Sequence, residues 1–220
     1  MDTRGHGASD RAEPPYEFAR FGADVVAVLD PLDTSPVAVG HSSGGAALAI
    51  AQLLEPGLFS ALVLIEPIIF PPPFERRWNP LVDVALRRRR SFPSRTVARE
   101  RFAEGPFRSW VPEALDAYVD HGFEEVGDEW ALRCAAEVEA DVYHEGSNHD
   151  TWDRVEGLDV PVVIVAGEHS DLHHGAYLEA LVAQFTGPEL VIVPGAGHLV
   201  PMEDPDAVAD IIASVLTTVG

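Results

Sequence analysis

The sequence is poor in cysteine and contains no lysine. Cys134 is its single cysteine, which excludes an intrachain disulfide and a cysteine-based zinc cluster. All 15 cationic side chains are arginine, and the 36 acidic residues give the chain a formal net charge of −21. This charge argues against nucleic acid and anionic membranes as partners, because neutralising phosphate groups requires a basic surface.

Long apolar runs are also absent. The longest apolar runs, such as Ala61–Ile65 and Val160–Ala166, have only the length of a strand. A membrane-spanning helix needs about 20 apolar residues. The first residues, Met1–Gly7, include no apolar segment and do not resemble a signal peptide. We therefore expect no membrane span and a cytoplasmic location.

Short apolar runs alternate with helical patterns along most of the chain. Strands are predicted at Pro36–His41, Ala61–Glu66, Val160–Ala166 and Leu190–Val193. Helices are predicted at Tyr16–Leu32, Ser43–Leu54, Gly175–Phe185 and Pro205–Val219. This alternation predicts an α/β fold, with a mostly parallel sheet covered by helices on both faces.

The alternation is interrupted once, after a stiff proline run at Pro71–Pro73. Residues 71–156 are rich in arginine, favour helix and contain few strand patterns. We predict that they form an inserted helical cap, and that residues 1–70 and 157–220 form the α/β core. The aromatic residues of this segment either line an apolar pocket or pack inside the cap, and the sequence leaves both readings open.

The stretch Val37–Gly45 carries the strongest functional pattern. It reads as an apolar strand, then Gly-x-Ser-x-Gly, then the start of an alanine-rich helix. Such a turn exposes Ser42 above the sheet at a helix N-terminus, where backbone N–H groups stabilise negative charge. We expect Gly40 and Gly44 to be required, because side chains flanking so tight a turn would clash with the backbone.

A nucleophilic serine needs a base, and the base needs an acid to orient it. His198 lies in a glycine-rich loop directly after a predicted strand, at the edge where open α/β sheets place their sites. Asp171, in the loop after the preceding strand, is the first candidate for the acid. Glu168 and Glu66 remain alternatives, and Asp171 could instead cap the following helix.

Four motifs in this order resemble landmarks of the α/β-hydrolase superfamily with a serine nucleophile. They are Asp2–Ser9 (DTRGHGAS), Gly40–Gly44 (GHSSG), Gly167–Asp171 (GEHSD) and Gly195–His198 (GAGH). The resemblance covers residues 1 to about 66 and about 157 to the C-terminus. It implies the α/β-hydrolase fold and a serine–histidine–acid triad.

By this resemblance Ser42 is the nucleophile, His198 the general base and Asp171 the acid. The backbone N–H of Ser43 would be one donor of the oxyanion hole. The family's usual spacing puts the acid one position earlier, where this chain has Ser170. The chemistry requires no metal and no organic cofactor.

The first landmark occupies the second residue onward, whereas in the family it follows a buried strand and several earlier ones. We therefore expect an N-terminally shortened chain that lacks the loop supplying the second oxyanion donor. The alternative is a natural short form completed by a partner or by a second copy in a homo-oligomer.

The expected activity is hydrolysis of carboxylic esters or related small acyl substrates through an acyl-enzyme. The same triad could instead act in C–C bond hydrolysis, lactone opening or peroxy chemistry. From a different class, the chain could be a non-catalytic ligand-binding protein of this fold or an inactive fragment.

Overall fold

The computed structural model describes residues 1–219. Its helices are α1 Phe18–Leu29, α2 Ser43–Leu54, α3 Pro80–Arg87, α4 Arg95–Glu104, α5 Pro112–Gly122, α6 Ala136–Glu145, α7 Gly175–Gln184, α8 Val200–Glu203 and α9 Pro205–Val219. Its strands are β1 Val37–His41, β2 Ala61–Ile65, β3 Ser91–Phe92, β4 Phe123–Val126, β5 Glu129–Leu132, β6 Val162–Gly167 and β7 Glu189–Val193. Within this range no helix is both long and apolar enough to cross a bilayer.

The chain divides into two compact units. One unit consists of residues 1–16 and 77–145, and the other of residues 17–76 and 146–220. The predicted cap at 71–156 overlaps most of the first unit, and its boundaries stay a prediction. We call the first of the two units the helical unit and the second the sheet unit.

The sheet unit is built on a four-stranded parallel sheet in the order β1-β2-β6-β7. The four strands predicted from the sequence are these four, and the prediction of a parallel α/β sheet is confirmed. Every residue of β2 and β6 is buried, as expected for strands with neighbours on both sides and helices on both faces.

Alternate residues of the central strands supply two apolar faces. Residues such as Val63 and Val165 pack against the helix α9 through a cluster that includes Val208 and Val215. Leu62 and the other side chains on the opposite face are also fully buried. The helix α2 contacts β1 and β2, and α1 packs on α2. Because the sheet is covered on both faces, the ends of its strands are held in fixed positions.

The helical unit contains a small antiparallel sheet that the sequence analysis did not predict. Its order is β3-β5-β4, and β4 and β5 form a hairpin whose turn is Gly127-Asp128. Gly127 has φ +63°, which suits glycine in a tight hairpin turn. The Gly-Asp pair between two short runs with aromatic residues was the pattern that could have revealed it.

The aromatic residues of the helical unit pack mainly on one another. Phe92 and Phe123 are fully buried, and the rings of Phe102, Phe107 and Trp110 form a stack. This arrangement favours the interpretation in which these side chains form the core of their own unit. The arginines of the segment pair with local acids, as Arg95 does with Asp120 and Arg99 with Asp116.

Candidate active site

Ser42 and Glu66 lie next to each other because the sheet continues one residue beyond its strands. The backbone N–H of Ser42 donates to the carbonyl of Ile65 at 2.9 Å. The backbone N–H of Glu66 donates to the carbonyl of Val165 at 2.8 Å. These bonds place both residues at the C-terminal edge of the sheet, where parallel α/β sheets hold their sites.

The turn at Ser42 is tight and strained. Ser42 has φ +54°, a left-handed conformation that residues other than glycine seldom adopt and that costs on the order of 1–3 kcal/mol. At Gly40 an added Cβ would lie 2.7 Å from the backbone of Gly44 and from the Leu48 side chain. At Gly44 an added Cβ would meet nothing within 4 Å. The expectation that both glycines avoid a clash is therefore right for Gly40 and wrong for Gly44.

Replacing Gly40 with alanine should destabilise the protein, whereas replacing Gly44 should not. A Cβ at Gly40 forces the turn and α2 apart, and overpacking of this kind costs roughly 1–3 kcal/mol. We expect Gly40→Ala to lower the Tm by about 5 °C in thermal unfolding. Gly44→Ala, the matched control, should leave the Tm unchanged or raise it slightly. Equal losses in both variants would contradict this description of the turn.

Three side chains converge at this edge of the sheet. His198, in the loop after β7, has its Nε2 atom 3.2 Å from the Ser42 Oγ atom. Its Nδ1 atom lies 2.9 Å from Oε2 of Glu66. Ser42 and His198 are half-buried, and Glu66 is fully buried. Two successive hydrogen bonds thus link a hydroxyl, an imidazole and a carboxylate. This is the geometry of a nucleophile, its base and an orienting acid.

The acid in this arrangement is not the residue that the sequence analysis preferred. Asp171 is exposed, and it is Glu66, one of the alternatives, that contacts His198. The other alternative, Glu168, accepts a hydrogen bond from the backbone N–H of Gly195 at 2.8 Å. Ser170, which stands where the family's spacing puts the acid, donates its hydroxyl to Oε2 of Glu66 at 2.7 Å.

The carboxylate of Glu66 is held in its ionised form. Burial alone would raise its pKa, but interactions with His173, His198 and Ser170 outweigh burial and lower the pKa to about 2. The backbone N–H of Gly167 adds a hydrogen bond to Oε1 at 2.8 Å. Glu66 also has φ +50°, so the chain is strained at the acid as well as at the serine.

Two histidines that the sequence analysis did not single out contact this site. The Nε2 atom of His41 lies 2.8 Å from the backbone carbonyl of His198. Burial lowers the pKa of His41 to about 4, so its neutral ring donates this bond and holds the loop of His198. The second, His173, is 1% exposed and lies against Glu66. His41 occupies a variable position of the Gly-x-Ser-x-Gly pattern, so nothing in the pattern marked it.

Buried neutral histidines make the stability of the fold depend on pH. Burial lowers the pKa of His149 to about 4, as it does for His41. In the unfolded chain both rings take up a proton near pH 6.5, whereas in the folded chain they stay neutral until about pH 4. Stability is therefore lost as the pH falls from 6.5 towards 4. The low pKa of Glu66 adds a further loss between about 4.5 and 2.

The variant His149→Gln should show a weaker fall of Tm between pH 7 and pH 4.5. Each buried neutral histidine contributes up to about 3 kcal/mol of this dependence. Thermal unfolding across this range is the measurement. His169→Gln changes an exposed histidine and serves as the control. If His149→Gln loses Tm with acid as steeply as the control, this assignment of the neutral ring is wrong.

The expected oxyanion donor lies at the start of α2. Ser43 is the first residue of that helix, where backbone N–H groups lack partners within the helix. The helix dipole adds positive potential at this end. The role of the Ser43 backbone N–H as an oxyanion donor stays a prediction.

Three side chains of the site could also hold a metal ion, because each presents a nitrogen or oxygen atom and these atoms lie within 4.8 Å of one another. They are those of Glu66, His173 and His198. The carboxylate of Glu66 already has three hydrogen-bond donors around it, so its surroundings suit hydrogen bonding.

Comparison with known sequences places this chain among hydrolases. The sequence profile described as the alpha/beta hydrolase family matches residues 1–211. Esterase YbfF of Escherichia coli is 27% identical over 209 residues, which cover 94% of this chain and 78% of that protein. The 2-(acetamidomethylene)succinate hydrolase of Mesorhizobium japonicum is 26% identical over 208 residues, covering 94% of this chain and 73% of that protein.

Comparison with solved structures shows the same fold. The peroxisomal alpha-beta-hydrolase Lpx1 of Saccharomyces cerevisiae superimposes with a TM-score of 0.86 at 20% identity. The match covers 99% of this chain and 66% of that one. At this level of identity the likeness concerns the fold alone.

Proposed function

Because this chain belongs to the alpha/beta hydrolase family, we propose that it hydrolyses carboxylic esters or related acyl compounds through a covalent intermediate on Ser42. The observation that carries the proposal is the hydrogen-bond sequence from Ser42 Oγ to His198 Nε2 and from His198 Nδ1 to Glu66. The relatives described above include an esterase and a hydrolase, and the geometry supports Ser42, His198 and Glu66 as the groups that perform the reaction here.

The first step is attack on the substrate carbonyl. Glu66 is ionised and only accepts, so the proton of the neutral His198 ring is on Nδ1. The free Nε2 atom then takes the proton of Ser42 as its oxygen attacks. The N–H of Ser43 would stabilise the negative oxygen of the tetrahedral intermediate. Collapse of this intermediate releases the alcohol, which receives the proton from His198, and leaves an acyl group on Ser42.

The second step reverses the roles. A water molecule enters, gives a proton to Nε2 of His198 and attacks the acyl carbon. The acid product leaves as Ser42 regains its proton. This cycle uses Ser42, His198, Glu66 and one water molecule.

The substrate we propose is a small ester, and residues 71–156 serve as the cap of the family. This role for residues 71–156 rests on their place in the chain, between β2 and β6 of the sheet unit. Since the aromatic residues of the helical unit pack with one another, we do not assign them to an acyl pocket.

The test is a panel of chromogenic esters of increasing acyl length, together with lactones, assayed with the full 220-residue chain. We expect hydrolysis of at least the short esters, and inactivation by phenylmethanesulfonyl fluoride, which reacts with activated serines. Turnover of lactones alone would identify lactone opening as the reaction. A folded protein that turns over nothing and resists the inhibitor would contradict the proposal.

A further inference from the structure

His173 is a buried histidine that the proposed reaction does not use. It lies in the loop between β6 and α7, and only 1% of its surface is exposed. Its Nε2 atom lies 2.9 Å from the backbone carbonyl of Pro67. Because a carbonyl only accepts, Nε2 carries a hydrogen and donates it to Pro67. The Nδ1 atom of the same ring is buried and has no hydrogen-bond partner among the described residues.

This Nδ1 atom faces the acid of the proposed triad. It lies 2.8 Å from Oε2 of Glu66, and Nδ1 of His198 lies 2.9 Å from the same oxygen. One ligand atom from each of the three side chains lies within 4.8 Å of the other two. Imidazole nitrogens and carboxylate oxygens are ligands that zinc takes in protein sites. A buried nitrogen without a partner therefore faces a set of atoms that suits a metal ion.

We propose that Glu66, His173 and His198 form a binding site for a divalent transition-metal ion of the zinc type, and that the bound ion inhibits hydrolysis. The inhibition rests on the proposed function, because the ion engages two members of the triad of that reaction. Binding of the ion does not depend on it. The ion acts as an inhibitor, and no step of the hydrolytic cycle passes through it.

The surroundings of two of the ligands are those of a metal site. Histidine ligands of metals almost always donate their other ring N–H to an oxygen atom, as His173 does to Pro67. Carboxylate ligands are hydrogen-bonded in turn. Glu66 accepts from the hydroxyl of Ser170 at 2.7 Å and from the backbone N–H of Gly167 at 2.8 Å. Both ligands are thus already oriented by outer partners.

An ion can be placed among these atoms by modest movements of the side chains. Zn–N and Zn–O bonds are about 2.0–2.2 Å long, so the ligand atoms of a tetrahedral site are about 3.3 Å apart. The two contacts with Oε2 of Glu66, at 2.8 and 2.9 Å, must therefore widen by roughly half an ångström. His198 has the freedom to move, because 25% of its side chain is exposed, whereas Glu66 is fully buried.

Metal binding through Nδ1 would remove the base function of His198. In the proposed reaction the ring keeps its hydrogen on Nδ1, towards Glu66, and leaves Nε2 free for Ser42. A histidine ligand is a neutral ring, so coordination at Nδ1 moves that hydrogen to Nε2. Nε2 then has no lone pair to take the proton of Ser42, and attack on the substrate stops. Inhibition should therefore follow occupancy of the site.

The first experiment measures hydrolysis of a chromogenic ester by the full chain while ZnCl2 is added. We expect inhibition by Zn²⁺ and none by Mg²⁺, which prefers oxygen ligands. His173→Gln removes the ligand that lies outside the triad, and it should raise the zinc concentration for half-inhibition by about 100-fold or more. His174→Gln changes the exposed neighbouring histidine and is the matched control, which should keep the original sensitivity. An original chain that zinc does not inhibit, or equal sensitivity in His173→Gln, overturns the proposal.

A second experiment does not require hydrolysis. Isothermal titration calorimetry with ZnCl2 should show one site per chain that is lost in His173→Gln and Glu66→Gln and kept in His174→Gln. If this pattern is found but no ester is hydrolysed, the proposed function fails and the metal site stands. If esters are hydrolysed but zinc binds equally well to His173→Gln, or does not bind at all, the metal site fails and the proposed function stands.

The position of the ion can be measured on the original chain, so the proposal is tested even if a variant does not fold. Crystals grown with ZnCl2 are measured at the zinc absorption edge, where anomalous scattering locates the ion. We expect one ion among Glu66, His173 and His198. Zinc bound only at other residues, or no zinc in the crystals, overturns the proposal.

Discussion

Replacing Ser42 with alanine should reduce kcat by roughly 10⁴-fold or more, because only the catalysis supplied by substrate binding and the oxyanion hole is left. The reason is that Ser42 Oγ is the atom that His198 Nε2 can deprotonate, at a distance of 3.2 Å. Without it no acyl group can be carried by the protein. The measurement is kcat for the best ester of the panel.

Ser43→Ala is the matched control for this change. It removes a neighbouring hydroxyl of the same size and keeps the backbone N–H that we assign to the oxyanion hole. We expect it to keep kcat within about tenfold of the original chain, a far smaller change than loss of the nucleophile. A Ser42→Ala protein that still turns over at the original rate would show that another group is the nucleophile.

Glu66→Gln should reduce kcat by about 10³- to 10⁴-fold while the protein still folds. The amide has nearly the same shape as the carboxylate, but it has no charge to stabilise the imidazolium that forms on His198. An amide nitrogen facing His198 Nδ1 would also favour the wrong tautomer of the ring. Steady-state kinetics measure the loss of kcat, and thermal unfolding checks that the variant still folds.

Asp171→Asn is the control that separates the two candidate acids. Asp171 is exposed, so its change should leave kcat within about twofold. If Asp171→Asn is the damaging variant and Glu66→Gln is not, the acid assignment based on the geometry is wrong. The pair of variants therefore decides between the resemblance-based and the structure-based choice.

The sequence predicted the sheet and two of the three convergent side chains for a physical reason. Ser42 and His198 both lie in glycine-rich turns directly after apolar strands, and such turns are local features that neighbouring residues dictate. The parallel sheet followed from the alternation of strands and helices, since parallel neighbours need a crossover between them.

The acid could not be chosen from the sequence, because three acids lie at or after strand ends. Glu66 is the last residue of one predicted strand, whereas Glu168 and Asp171 follow the next one, and the choice depends on which side chain turns inward. In the structure Ser170 fills the inward position of the loop after β6 and donates to Glu66. A small hydroxyl at that place leaves room for a longer carboxylate that reaches across from the end of β2.

The contacts of His41 and His173 depend on tertiary structure alone. His41 reaches a residue 157 positions away, and His173 contacts one more than 100 positions away. No local pattern encodes pairings of this range. Gly44 shows the reverse case, because the pattern suggested a steric requirement that the open space around this residue does not impose.

The central claim is that Ser42 carries the acyl group, and the most direct measurement is to trap the adduct. The full chain is incubated with a fluorophosphonate, digested and mapped by mass spectrometry. We predict one modified peptide per chain, with the adduct on Ser42, and greatly slowed labelling in Glu66→Gln. An adduct on another residue, or no adduct on folded protein, would contradict the account.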